Sequence, residues 1–193
     1  MAGIVEYITE VYIDEGNTVL DDLGTGGTIN ITTEFASQYL VEYGGQLIEG
    51  INETTRTALM DELSTGYDAG EGIKELSERV QRVFKDATDV RAELIARTES
   101  IKASNAASVE AYRQSGVVES KEWLAERDNR TCPFCEDLDG KTASLDTNFF
   151  NEGDELTVDG KTLSFDNGDV GEPPAHGNCR CTTIPVLITN EDN

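Results

Sequence analysis

Every cysteine and the only histidine of this 193-residue chain fall in two short segments, Cys132-Pro-Phe-Cys135 and His176-Gly-Asn-Cys179-Arg-Cys181. No other feature limits the fold as strongly, because paired soft ligands from two separated segments are what a tetrahedral zinc ion needs. A C-x₂-C knuckle facing an H-x₂-C-x-C knuckle offers five candidates for four positions: Cys132, Cys135, His176, Cys179 and Cys181. Cys179 and Cys181, two residues apart, would share one face of an extended strand, so a Cys₄ site stays open beside a Cys₃His site. The chain between the knuckles is polar, and a bound structural metal would account for how it keeps a shape.

Composition narrows the setting. Hydrophobic residues make up 37% of the chain, aromatics 7%, and the formal charge is -23. A chain of this length can still bury a core. No apolar run is long enough to span a bilayer, and Met1 is not followed by an export signal. The expectation is a soluble protein with no membrane role and reduced thiols, which favours zinc over two disulfides. Thirty-eight Asp and Glu against fifteen Lys and Arg repel nucleic-acid phosphates, so strong intrinsic nucleic-acid binding is not expected. The acids are spread from end to end, lysine is scarce and threonine plentiful. Such a surface suits concentrated salt, where self-repulsion is screened, and a halophilic host is the expectation.

Along the chain, Ile4, Val5, Ile8, Val11 and Tyr12 recur at helical spacing ahead of Gly24-Thr25-Gly26-Gly27. The glycine run lacks the Lys-Ser/Thr of a phosphate loop and reads as a linker. A second helical region is expected from Thr33 to Leu63, broken at Gly44-Gly45 and Gly50, with Asn52 capping its last part and Gly66 stopping it. Ile73, Leu76, Val80, Val83 and Phe84 draw the stripe of an amphipathic helix. Asp86 or Thr88 then caps a longer helix to Ser115, stopped by Gly116. Val90, Leu94, Ile101 and Tyr112 form its apolar edge, and the small residues 103–108 admit a neighbouring backbone.

After Gly116 the texture changes. Val117-Val118 and Lys121-Glu-Trp123 read as a strand anchored by the sole tryptophan. Between Asp146 and Glu172 lie eight acidic residues and one lysine. Within that stretch, Leu156 to Val158 and Thr162 to Phe165 alternate about Asp159-Gly160, a hairpin signal. Pro173-Pro174 turns the chain back to the second knuckle, and Ile184 to Ile188 makes a last strand. The expected fold is α+β. Residues 1–28 form a helix and Gly-rich linker, 29–116 a helical region, and 117–193 a zinc-stapled β lobe with a hairpin inserted over roughly 155–166.

No catalytic residue is expected. An HNH-type metal nuclease needs a histidine base beside its ligands, and the one histidine already lies in the cluster. A zinc nucleobase deaminase needs H-x-E and P-C-x-x-C segments, which are absent. Cys132-Pro-Phe-Cys135 has the spacing of a thiol-redox pair, but Glu136 to Gly140 reads as an acidic turn that would raise thiol pKa. Arg97 and Glu99 lack a nucleophile or base, and Arg97 is expected to bridge to Asp128 or a knuckle carbonyl. Arg130 and Arg180 flank the cysteines and would offset thiolate charge. The acids around the hairpin lack calcium-loop spacing and read as a solvated face.

Taken in order, Ala96-Arg-Thr-Glu99, Asn105, Tyr112, Gly116-Val117, Trp123, Asp128, Arg130-Thr-Cys132, Cys135, Leu138, Gly140, Pro173-Pro174, His176 and Cys179-Arg-Cys181 compose one signature. From Asn52 to Leu187 the chain resembles the Mu F-like minor head protein family of tailed viruses, the phage head morphogenesis family. Gly177 departs from the proline that often follows the histidine in that family, and the hairpin is longer and more acidic. The resemblance implies a structural minor capsid protein, present in multiple copies and inside the virion head near the portal after assembly in the host cytoplasm. It implies the portal protein, and major capsid or scaffold proteins, as partners, and a part in assembly, DNA packaging or delivery. The alternative from another class is a zinc-dependent DNA-acting enzyme or a thiol-redox protein.

Overall fold

A computed structural model describes residues 2–33, 36, 53–84, 89–166 and 168–189. Among the described residues, four helices come first: α1 (Ala2–Asp22), α2 (Glu53–Asp68), α3 (Ile73–Val83) and α4 (Asp89–Ser115). A mixed region follows, made of β1 (Val118–Leu124), a short helix α5 (Pro133–Leu138), β2 (Thr142–Ser144), β3 (Glu155–Val158), β4 (Lys161–Ser164) and β5 (Thr182–Leu187). The protein is thus α+β. The expected breaks at Gly44-Gly45 and Gly50 and the caps at Asn52, Asp86 and Thr88 lie outside the described residues.

The helical core is built around α4, against which α1 and α3 pack. Val11, Tyr12 and Leu20 of α1, Leu59 and Leu63 of α2, and Leu76 and Val80 of α3 are buried there. The side of α4 that meets them is Ala92, Ile95, Ala96, Ala103, Ala106, Ala107 and Ala111. Alanine brings helix axes close and loses no side-chain entropy on burial. The sequence pattern put the apolar edge elsewhere: Tyr112 is buried, but Leu94 and Ile101 are only half-buried. The side chains of Ile4, Val5, Ile8, Ile73 and Val90 are outside the description.

Gly66 does not stop α2, which continues to Asp68. A turn at Gly70, with φ +68°, ends the segment instead. Gly66 serves close packing: a Cβ there would lie 2.6 Å from Leu76 Cδ2 and 2.7 Å from Arg79 Cδ. Arg79 cannot easily swing away, since its Nε donates to Glu71 at 2.6 Å and its Nη1 to Glu62 at 3.1 Å. Gly66→Ala is therefore expected to cost about 1–2 kcal/mol in urea unfolding, despite alanine's better helix propensity.

The three-stranded sheet runs in the order β2-β1-β5, antiparallel throughout. A register shift between Val118 and Ser120 lets Val118, Lys121 and Trp123 all face inward. Trp123 is fully buried and meets Phe149 edge-on, with ring centroids 5.1 Å apart. Lys121 is also buried, its Nζ 3.5 Å from the Leu145 carbonyl, and burial pulls its pKa down to about 8. The β3–β4 hairpin turns at Asp159 (φ 51°) and Gly160 (φ 74°), the left-handed pair that a two-residue hairpin loop requires. Its excursion is closed at the root by an antiparallel bridge between Phe150 and Val170, and the Phe150 and Phe165 rings stack at 4.1 Å.

Candidate metal centre

The first knuckle is shaped by α5. Cys132 is its N-cap in extended conformation, Pro133 fills the first turn, and the Cys135 N–H donates to Cys132 Sγ at 3.4 Å. The acidic turn expected after Cys135 is therefore a short helix, and Cys132 occupies its N-terminal cap. Pro133 suits that place because the first helical N–H has no intrahelical partner anyway. In the second knuckle the Cys179 N–H donates to the His176 carbonyl at 3.2 Å, and Asn178 adopts φ 64°. Gly177 lies against Leu94 of α4, where an added Cβ would sit 3.4 Å from Leu94 Cδ1.

These turns bring the five sequence candidates together. His176 Nε2 lies 3.2 Å from Cys132 Sγ and 3.3 Å from Cys135 Sγ, and Cys135 Sγ lies 3.9 Å from Cys179 Sγ. Donor atoms of Cys132, Cys135 and His176 fall within 4.8 Å of one another, as do those of Cys135, Cys179 and Cys181. For a tetrahedral zinc, thiolate and imidazole bond lengths give edges of about 3.8 Å between sulfurs and about 3.5 Å between sulfur and nitrogen. The residues present fit a metal of that kind. The imidazole is prepared for it: Nδ1 lies 2.7 Å from the Gly177 carbonyl, which can only accept, so Nδ1 carries the proton and Nε2 offers its lone pair. All four cysteines are free, and Cys135, Cys179 and Cys181 are buried. Hydrogen bonding from Cys135 draws the Cys179 thiol down to about 3, while the same sharing pushes Cys135 up. A metal would replace those shared protons.

A cleft of about 230 Å³ opens over the cluster, lined by Cys132, His176, Arg130 and Arg180 among others. Arg180 does not face the thiolates alone. Its guanidinium grips Asp128 at 2.6 and 2.9 Å, joining the second knuckle to the loop before the first. The Arg130 side chain adds contacts to the same carboxylate at 3.2 and 3.3 Å. The bridge expected from Arg97 to Asp128 is absent: Arg97 pairs with Glu93 along its own helix at 2.5 Å, and Asp128 is held by Arg180. The Arg180 hydrogen bonds hold the Asp128 carboxyl well below the usual carboxylate range. A depressed carboxyl stabilises the fold above its unfolded value near 4, and that contribution fades as pH falls below it. Asp128→Asn should accordingly lower the melting temperature at pH 7, with the gap to the parent narrowing from pH 5 towards pH 2. An equal gap at both ends would exclude the charge as its source.

The lobe is fixed to the helices by two side chains, Asn105, to which the sequence pattern gave no task, and Tyr112, expected only on an apolar edge. Asn105 of α4 acts like a strand edge for β5: its Oδ1 accepts from the Thr183 N–H at 3.0 Å and Thr182 Oγ1 at 2.9 Å, and its Nδ2 donates to the Cys181 carbonyl at 3.3 Å. About two helical turns further on, Tyr112 Oη donates to the Thr183 carbonyl at 3.0 Å. The available signal was a lone amide amid small residues, since a buried Asn must find partners.

A family model described as Phage Mu protein F like protein matches residues 57–184, a span that includes both knuckles. Over 151 residues the chain is 26% identical to NAD(+)--arginine ADP-ribosyltransferase EFV of Enterococcus faecalis (strain ATCC 700802 / V583), covering 78% of this chain and 28% of that protein. Over 186 residues it is 22% identical to the uncharacterized protein YqbB of Bacillus subtilis (strain 168), covering 94% of this chain and 58% of that protein. The chain thus spans less than two thirds of either relative. No solved structure matches it.

Proposed function

The chain belongs to the phage Mu protein F like family, and on that premise we propose that it is a structural minor head protein of a tailed virus, docked inside the head at the portal. The family match carries this reading, because it runs through α4, the sheet and both knuckles as one unit. Within it, zinc held by four of Cys132, Cys135, His176, Cys179 and Cys181 would fix the mixed lobe (residues 117–193), while the helical part (29–116) and the segment before it (1–28) offer surfaces to the portal, to capsid proteins or to sister copies. The acidic surface suits a host living in concentrated salt.

Cys132 and Cys135 keep the C-x₂-C spacing of a thiol-redox pair as well. His176 Nε2 close to both sulfurs of the pair fits a metal better. The ADP-ribosyltransferase name belongs to a protein of which this chain matches 28%, and we propose no enzymatic role here. Quantitative mass spectrometry of purified proheads and virions tests the reading. The chain should be present in both at a fixed low ratio to the major capsid protein, and heads assembled without it should be defective. Absence from both particles would overturn the proposal.

A further inference from the structure

We infer that the metal centre is a Cys₃His site formed by Cys132, Cys135, His176 Nε2 and Cys179, with Cys181 left outside it as a core thiol. This rests on the metal reading above and selects among its five candidates. The two groups of close donors share Cys135, so the fourth ligand beside Cys132, Cys135 and His176 is Cys179 or Cys181.

Turn geometry separates them. Cys132 and Cys135 flank a tight turn in which the Glu136 N–H donates to the Cys132 carbonyl at 3.0 Å. His176 and Cys179 have the same three-residue spacing and close a turn of their own, with Cys179 N–H on the His176 carbonyl and Asn178 left-handed. The first turn places both of its sulfurs beside His176 Nε2, and Cys179 reaches that group through Cys135 Sγ. Cys181 belongs to neither turn and lies one residue before β5. Distance agrees, since the 3.9 Å from Cys135 Sγ to Cys179 Sγ already matches the edge of a zinc tetrahedron.

Cys181 is meanwhile held by another partner. Its carbonyl accepts from Asn105 Nδ2, which fixes the backbone at the mouth of β5. Moving Cys181 onto the metal would pull at that Asn105 contact.

The test is zinc content and zinc K-edge absorption of the full chain, purified under reducing conditions with zinc added. The parent should bind one zinc with three sulfurs and one nitrogen. Cys181→Ser and Cys181→Ala should keep that stoichiometry and that shell, with affinity within severalfold of the parent. Cys179→Ser should weaken zinc by about a hundredfold or more, beyond what loss of a second-layer contact causes. Either Cys181 variant retaining the three-sulfur shell supports the assignment. A four-sulfur shell in the parent, or loss of zinc or of one sulfur in both Cys181 variants, overturns it. A parent that binds no zinc at all would instead sink the metal reading on which it stands.

Discussion

Stripped of metal by a strong chelator under reducing conditions, the protein is expected to lose the structure of its mixed lobe while most of its helical signal survives. The lobe core has few large apolar groups: Trp123, Leu138 and Phe165 are buried, and Cys135, Cys179 and Cys181 supply much of the remainder. The helices close over a separate core of their own. Structural zinc contributes an apparent 10–16 kcal/mol in small zinc-folded units, about as much as a whole domain's net stability. No rearrangement of three thiols and an imidazole recovers that. Near-ultraviolet circular dichroism should show the Trp123 band collapse, and amide exchange should accelerate across β1 and β5. The α1 and α3 amides should stay protected. Unchanged protection of β1 and β5 after verified metal removal would mean that the sheet stands by itself.

Asn105→Ala is expected to cost about 3 kcal/mol, a large effect for a single polar substitution. The change removes hydrogen bonds to Thr182, Thr183 and Cys181. It leaves the Cys181 carbonyl and the Thr183 N–H of β5 buried without these partners, at about 1–3 kcal/mol each before relaxation. Tyr112→Phe removes one bond to the same strand and should cost about 1 kcal/mol. Urea titrations with matched slopes would read both. A loss below about 1 kcal/mol for Asn105→Ala would show that β5 is held chiefly by β1. Zinc affinity should fall with stability, because Asn105 fixes the carbonyl of Cys181, two residues beyond Cys179.

The sequence is most legible where local chemistry decides the outcome. Asp159-Gly160 reads as a hairpin turn because few residue pairs accept left-handed φ twice in succession. Leu76 and Val80 read as a buried stripe because helical spacing alone places them on one face. Gly116, at φ +67°, ends α4 as a terminal glycine should. The five candidate ligands are visible as a set for the same reason, cysteine and histidine being rare in the chain. What stays hidden depends on contacts between distant segments. Gly66 reads as a stop, yet the approach of Leu76 and Arg79 makes it a packing position inside a helix. The buried side of α4 is mostly alanine, which carries too little hydropathy to mark a stripe. Asp128 gives no hint that its partner is Arg180 rather than Arg97, because that choice depends on how the two knuckles meet.

The bridge between Phe150 and Val170 has a consequence for relatedness. Beyond it, the hairpin packs Phe165 into the lobe core and turns at exposed Asp159-Gly160, while the two knuckles are held by the sheet and by Arg180 on Asp128. The exposed tip of the hairpin can therefore lengthen or shrink without moving either half of the cluster. Kin of this protein are expected to keep the spacing within each half and to vary freely in the interval between them. A pattern that demands a fixed interval would overlook such kin, and one that joins the two halves by a gap of any length would gather them.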